Sequence, residues 1–330
     1  MQDEFALIRL LTKYRPSPPP SVEVDVGDDA AVVHPLNLSL VITSDTMIET
    51  VHFLPETMRP ADIGWKLAAA NISDIAAMGG LPRYGVVSLA VPRHWEKHAL
   101  VDLYRGMYDL ANRYGLVIVG GDTVKAPHDL TVTLTVIGEV EGGQALKRSA
   151  AREGDVVFLT GTVGDSSAGL HVLLNGNDGT KKRFADLIRA HRRPIPQVAA
   201  GRLLASLDAE AAANDISDGL AQECWEIAEA SGVRVVLEKD RIPLSDALVD
   251  YASQTGYDPY EWALYGGEDF QLVGCVPEAV FARLEQTAHN EGVTLFRIGW
   301  TERGKPAVEW VTDQGRTVLE RRGYNHFTDG

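Results

Sequence analysis

PADIGWKLAAANISDIAAMGG, residues 60–80, is the stretch from which the rest of the chain is read. Apolar residues recur through it at helical spacing. Pro60 stands where a first helical turn tolerates a missing N–H, and Gly79-Gly80 end the pattern. The spacing predicts one alanine-rich helix over 61–78. Asp74 then falls in the last turn, where the negative end of the helix dipole disfavours a carboxylate, so something positive should compensate it. Asn71, one turn earlier on the same face, can present a second oxygen beside it. The plain alternative is a surface carboxylate paired with Lys66 or a nearby arginine.

Outward from this helix, strands and helices alternate. Towards the N-terminus, Phe5, Ile8, Leu10 and Leu11 suggest a short amphipathic helix, and residues 16–21 a proline-rich loop. Strand-like runs follow at 30–33 and 38–43. Beyond the helix, 84–91 reads as a strand, 95–114 as a helix, 116–119 as a buried strand, and the threonine-rich 130–140 as a half-buried one. A turn-rich, charged stretch at 141–154 carries the domain boundary. After it come a strand at 156–160, helices at 166–174, 181–190 and 196–207, a loop at 214–219, and a helix to 230. A strand at 233–237, a helix at 245–254, a strand at 270–276, a helix at 278–289 and short strands complete the chain. The expectation is an α/β (α+β) protein of two mixed domains, residues 1–142 and 143–330, each a sheet with helices on one face.

Composition narrows the function. The chain has 330 residues, 45% hydrophobic, with enough apolar surface for real cores. With 31 basic and 46 acidic side chains the net charge is -15, which argues against nucleic acid as a partner. Should the ligand be a polyphosphate, carboxylates near it need divalent cations between. No apolar run is long enough for a membrane span, and Met1-Gln2-Asp3-Glu4 lacks the basic start of a signal peptide, so no membrane and a cytoplasmic location are expected. Cys224 and Cys275 lie in apolar segments and read as core thiols in a reducing compartment.

Neither a Gly-Lys-Ser/Thr phosphate loop nor a dinucleotide fingerprint occurs. What recurs is aspartate beside glycine, serine or threonine where an apolar run stops: Gly27-Asp28-Asp29, Thr43-Ser44-Asp45-Thr46, Gly120-Gly121-Asp122-Thr123, Asp215-Ile216-Ser217-Asp218-Gly219 and Gly267-Glu268-Asp269. Each alone is ordinary turn or cap chemistry. Together they suggest carboxylates gathered at strand ends, whose mutual repulsion a hard cation such as magnesium would relieve. Arg148, in the boundary stretch, is a fork-shaped donor suited to phosphate. His52 sits among apolar neighbours and on composition reads as a packing histidine. Tyr324 and Phe327, after Gly323, could stack on a flat ring or pack on their own domain.

Taken in order, these motifs, with Val51-His52-Phe53, residues 71–79 and Gly266-Gly267-Glu268-Asp269, resemble the thiamine-monophosphate kinase family over nearly the whole chain. The resemblance implies two domains of the aminoimidazole ribonucleotide synthetase-like type, with N-terminal domains pairing in a homodimer. It also implies ATP and thiamine monophosphate as substrates, and several magnesium ions. By motif, Asp28, Asp29, Thr43, Ser44, Asp45, Asp74, Asp122, Asp215 and Asp218 match metal-ligand positions. Gly121, Asp122, Arg148 and Ser217 match positions that hold ATP. His52, Glu268 and Tyr324 match those near the thiamine phosphate, and Arg148 and Asp215 are the candidate catalytic pair. Asp25, where the family has glycine, and Asn325, where it has aspartate, depart from the pattern. The chemistry expected is direct in-line phosphoryl transfer, which asks for positioning and charge neutralisation rather than covalent help. The alternatives are another ATP-using member of the superfamily and a non-catalytic nucleotide-binding relative.

Overall fold

The computed structural model describes residues 22–24, 31–33, 38–207 and 209–323. Candidate residues Asp28, Asp29 and Tyr324, the departures Asp25 and Asn325, the N-terminal helix and the 16–21 loop lie outside these. In the first domain β1 (Val22–Val24), β2 (Ala31–Val33) and β3 (Leu38–Ile48) precede α1 (Pro60–Ala77). β4 (Leu81–Val91), α2 (Lys97–Ala111), β5 (Val117–Lys125) and β6 (Thr131–Glu141) follow. The sheet order is β1-β2-β3-β6-β4-β5, antiparallel except for the β4–β5 pair. One face of this sheet packs on α1 and α2 through Val41, Val87, Leu89, Val132 and Leu134 against Ile63, Leu67, Ile72, Leu103 and Met107.

The second domain runs β7 (Asp155–Leu159), α3 (Asp165–Asn175), α4 (Asp178–Arg183), α5 (Ala185–Arg192), α6 (Val198–Ala205) and β8 (Ala212–Asp215). It continues with α7 (Leu220–Ser231), β9 (Val233–Glu238), α8 (Asp246–Thr255), α9 (Pro259–Tyr265), β10 (Leu272–Pro277) and α10 (Glu278–Asn290). β11 (Phe296–Arg303), β12 (Ala307–Thr312) and β13 (Gly315–Val318) end it. The sheet order is β13-β12-β9-β11-β7-β10-β8.

This sheet departs from the one-faced expectation. Val157, Leu159 and Val273 pack with α7 through Leu220, Cys224 and Ile227, while Val156, Phe158 and Val276 pack on the other face with Leu203, Phe281 and Leu284. Residues 156–159 of β7 and 272–276 of β10 are continuous buried runs because both faces are covered there, a pattern that leaves no alternation to read.

α1 joins the domains. Along with its contacts to the first sheet and α2, it packs against α6 and β8. Alanines let it be buried nearly all round, since a helix wedged between two surfaces has no room for long side chains on either. The Trp65 indole donates to Pro194 O at 2.9 Å, and Arg193 Nε meets Asp62 at 2.6 Å, both from α1 to the second domain.

Other differences have physical reasons. β3 runs on to Ile48 because its polar residues find side-chain partners on β6: Ser44 with Thr135 at 2.8 Å and Thr46 with Thr133 at 2.7 Å. Asp45 and Asp122 therefore lie inside strands, not at their ends, and Asn214 and Asp215 belong to β8 rather than a loop. The expected helix over 181–190 is two short ones, meeting at Phe184. The buried strand at 116–119 is an exposed edge: Val117, Val119 and Val124 are each more than half accessible. An apolar run alone does not tell a core strand from a face left for a partner.

Candidate active site

Two clusters line the joint between the domains, and α1 contributes to both. At its C-terminal end, Thr43 and Asp45 project from β3 toward α1. The Thr43 hydroxyl donates to Asp74 Oδ2, and the Asp45 N–H to Asn71 Oδ1 at 3.3 Å. Ser73 Oγ donates to Asp215 Oδ2 at 2.6 Å, tying α1 to β8. Asp45, Asp74 and Asp215 thus converge from both domains. Burial, then the nearby Asp215 charge, push the Asp45 carboxyl up to about 6, although Asp74 is close enough to share a hydrogen bond with it. Burial likewise raises Asp215.

Arg148 approaches from the second domain, its Nη1 on Glu226 Oε2 at 2.7 Å and its Nε on Asn214 Oδ1 at 3.0 Å, and its charge opposes the rise at Asp215. Glu223, on the first turn of α7, accepts from Asn214 Nδ2 at 2.5 Å, Ser217 Oγ at 3.2 Å and the Asp218 N–H at 3.0 Å. Burial, with the Glu226 and Asp218 charges beside it, holds its carboxyl well above the usual range. Sequence reasoning missed Ser73, Asn214, Glu223 and Glu226. The signal available was Glu223 and Glu226 at i, i+3 just after Asp218-Gly219, which places both on the helix face behind that loop.

The second cluster surrounds Glu268. Its carboxylate pairs with the buried Lys66 Nζ at 2.7 Å, so Lys66 serves Glu268 and not Asp74. Gly267 is required just before it, because a Cβ there would lie 2.1 Å from Ser217 O. Against the effect of burial, the Lys66 charge and its hydrogen bond hold the Glu268 carboxyl below its ordinary range. His52 is oriented by the Ile48 N–H, which donates to its Nδ1 at 3.0 Å; Nε2 is therefore the nitrogen that carries a proton in the neutral ring. Lys66 and Asp74 stand eight residues apart on α1, a rise of about 12 Å.

Ser44 and Asp122 lie apart from this convergence. Register through β6 and β4 puts both on the sheet face opposite α1, and Asp122, beside the exposed Gly121, is three strand spacings from β3, about 14 Å.

The residues fit a divalent cation. Asp45 Oδ2 is buried without a hydrogen-bond partner, and the surrounding donors are hard oxygens. Among the described residues no three His, Cys, Asp or Glu side chains are grouped so that they could hold a metal ion by themselves.

Known proteins resemble this chain over nearly its whole length. Residues 27–140 match the family model of the AIR synthase related protein N-terminal domain, and residues 152–311 that of the C-terminal domain. A thiamine-monophosphate kinase of Bacillus subtilis is 43% identical over 329 residues, covering 98% of this chain and 99% of its own. The chain belongs to the thiamine-monophosphate kinase family. Another thiamine-monophosphate kinase, from Salmonella typhimurium, is 37% identical over 98% of both chains. The solved structure of AaThiL complexed with AMPPCP and TMP superposes with a TM-score of 0.86 at 33% identity, over 98% of this chain and 97% of that one.

Proposed function

We propose that this chain moves the γ-phosphoryl group of ATP directly onto the phosphate of thiamine monophosphate, yielding thiamine diphosphate and ADP, with magnesium ions required. The observation that carries this reading is the meeting of Asp45, Asp74, Asp215 and Arg148 at the domain joint, with Glu268 paired to Lys66 about two turns earlier on α1 and His52 beside Glu268. A likeness to AaThiL, solved with an ATP analogue and TMP, supports it.

The acidic end suits the polyphosphate, since phosphoryl transfer asks mainly for positioning and charge compensation. Asp45, Asp74 and Asp215 would be the residues that hold magnesium, which would supply positive charge against their repulsion and that of the polyphosphate. Arg148 steadies the migrating group, and Ser217 and Asp218 lie on the loop that Glu223 holds. Glu268 complements the cationic thiazolium, and the His52 Nε2–H is a donor for the acceptor phosphate. The acceptor is already an anion and needs no general base.

A purified sample given ATP and thiamine monophosphate should release ADP only with magnesium present, and formylglycinamidine ribonucleotide should not replace the acceptor. ADP release with that purine precursor instead would reassign the chain within its superfamily.

The same reading includes a homodimer. Tyr84, Val86, Val117, Val119 and Val124 leave an exposed apolar surface on β4 and β5, the kind of sheet edge that a second chain can cover. A second copy packed there would bring its own Gly121 and Asp122 toward the first copy's Ser44, on the face that both occupy. Residues 1–142 would then hold nucleotide and partner, and residues 143–330 complete the site. Val119→Asp is expected to give a monomer by light scattering and to lose most activity; an active monomer would sink this part. Two free, buried cysteines suit a cytoplasmic setting, and no helix among the described residues is long and apolar enough to cross a membrane.

A further inference from the structure

We propose that Lys66 is a positioning residue for substrate, reaching from α1 into the second domain to hold the Glu268 carboxylate so that its Oε1 faces the cationic ring of thiamine monophosphate. This rests on the assignment of Glu268 to the thiazolium.

Lys66 is among the most deeply buried side chains of the chain, 1% accessible, and no packing need calls for a lysine there. Burying an ammonium is costly, and a methionine or leucine would fill the space without that cost. The compensation at hand is a single carboxylate oxygen. Lys66 Nζ lies 2.7 Å from Glu268 Oε2, and no other carboxylate of the described residues is within ion-pair distance of it. His191 lines the other side, its ring nitrogens 3.3 and 3.5 Å from Nζ. Burial and then the Lys66 charge hold His191 at about 3, so the ring is neutral and accepts from the ammonium rather than competing with it. Asp269, next in the chain, is turned away to the start of α3, where its carboxylate accepts from the Gly164 and Ser166 N–H groups at 2.5 and 3.0 Å.

Glu268 itself is held in an unfavourable backbone conformation. Its φ is 65° and that of Phe270 is 50°, both in the left-handed region that residues other than glycine seldom adopt. Backbone bonds from Glu268 N to Ser217 O at 2.8 Å and from Phe270 N to Ile216 O at 2.9 Å fix this turn onto the loop that carries Asp218. The turn points the side chain across the joint to α1. There its two contacts, Lys66 and His191 Nδ1 at 3.5 Å, both fall on Oε2. About a third of the Glu268 side chain stays accessible, and no hydrogen bond from a described residue reaches Oε1. The pair immobilises one oxygen and leaves the other open, which is the arrangement of a preorganised acceptor.

The test is a double-mutant cycle in the full chain, with KM for thiamine monophosphate, KM for ATP and kcat measured for wild type, Lys66→Met, Glu268→Gln and the double variant. Thermal melts confirm folding, and Lys66→Gln replaces Lys66→Met should the latter not fold. Lys66→Met is expected to raise KM for thiamine monophosphate at least tenfold and leave KM for ATP within twofold. The double variant should match Glu268→Gln within twofold, because Lys66 acts through that carboxylate. If Lys66→Met leaves the thiamine monophosphate KM unchanged or lowers it while Glu268→Gln raises it, the inference is wrong and the assignment of Glu268 survives. Penalties that multiply in the double variant overturn it too, since Lys66 would then act on its own. A Glu268→Gln variant with unaltered KM removes the assignment of Glu268 itself.

Discussion

Asp45→Asn should lower kcat by about three orders of magnitude, the scale seen when a preorganised charge is removed from a transition state, while making the metal-free protein more stable. The two effects have one origin. Asp45 is kept where burial and Asp215 both oppose its ionisation, with Oδ2 lacking a hydrogen-bond partner. Its folded pKa of about 6 lies above the ordinary carboxylate value, so the folded state binds this proton more tightly than the unfolded state does. The resulting cost to stability is absent at low pH, accumulates as pH rises from about 4 to 6, and is complete above that. Asparagine removes it, which is worth on the order of 1–3 kcal/mol at pH 7.5 and nearly nothing at pH 4. Melting curves in chelator at the two pH values, alongside steady-state rates, check both halves. Magnesium should stabilise wild type more than the variant. A variant that keeps a tenth of wild-type kcat would contradict the role given to Asp45.

The sequence disclosed the parts of this site better than their arrangement. α1 was readable almost to the residue, because Pro60 and Gly79-Gly80 bracket an uninterrupted helical pattern and local chemistry sets both ends. The alternation of β6 was equally plain, with one face buried and one not. What could not be read depended on distant partners. Nothing local says that Lys66 meets a glutamate 202 positions away, or that Glu223 gathers Asn214, Ser217 and Asp218. Likewise the apolar run beginning at Val117 looks like core until the sheet order shows it on an edge. The even-numbered Ser44 and odd-numbered Asp45 carry the same polar signature, yet strand geometry sends them to opposite faces. A motif therefore names donors without saying which of them meet in one copy.

Because both clusters are assembled from two domains, the largest loss of activity outside the site should come from the contact that sets how the domains meet. α6 crosses α1 at Gly201, where a Cβ would lie 2.0 Å from Ala76 O. The nearest atoms such a Cβ would meet all belong to the Ala76 backbone, which has nothing flexible to yield. Gly201→Ala must therefore push α6 away from α1 by an ångström or more. β8 follows α6 in the chain, and Asp215 at its end is held to Ser73 at 2.6 Å, a distance that tolerates no such shift. A displacement of this size costs about a hundredfold in a reaction governed by positioning, and the overpacking itself about 1–3 kcal/mol. Each domain keeps its own core, so the variant should remain folded, with near-native circular dichroism, a lower midpoint in urea and a kcat/KM down about a hundredfold. A Gly201→Ala protein with wild-type turnover would mean that the acidic cluster does not depend on the α1–α6 crossing, and that Asp215 acts without being held by Ser73.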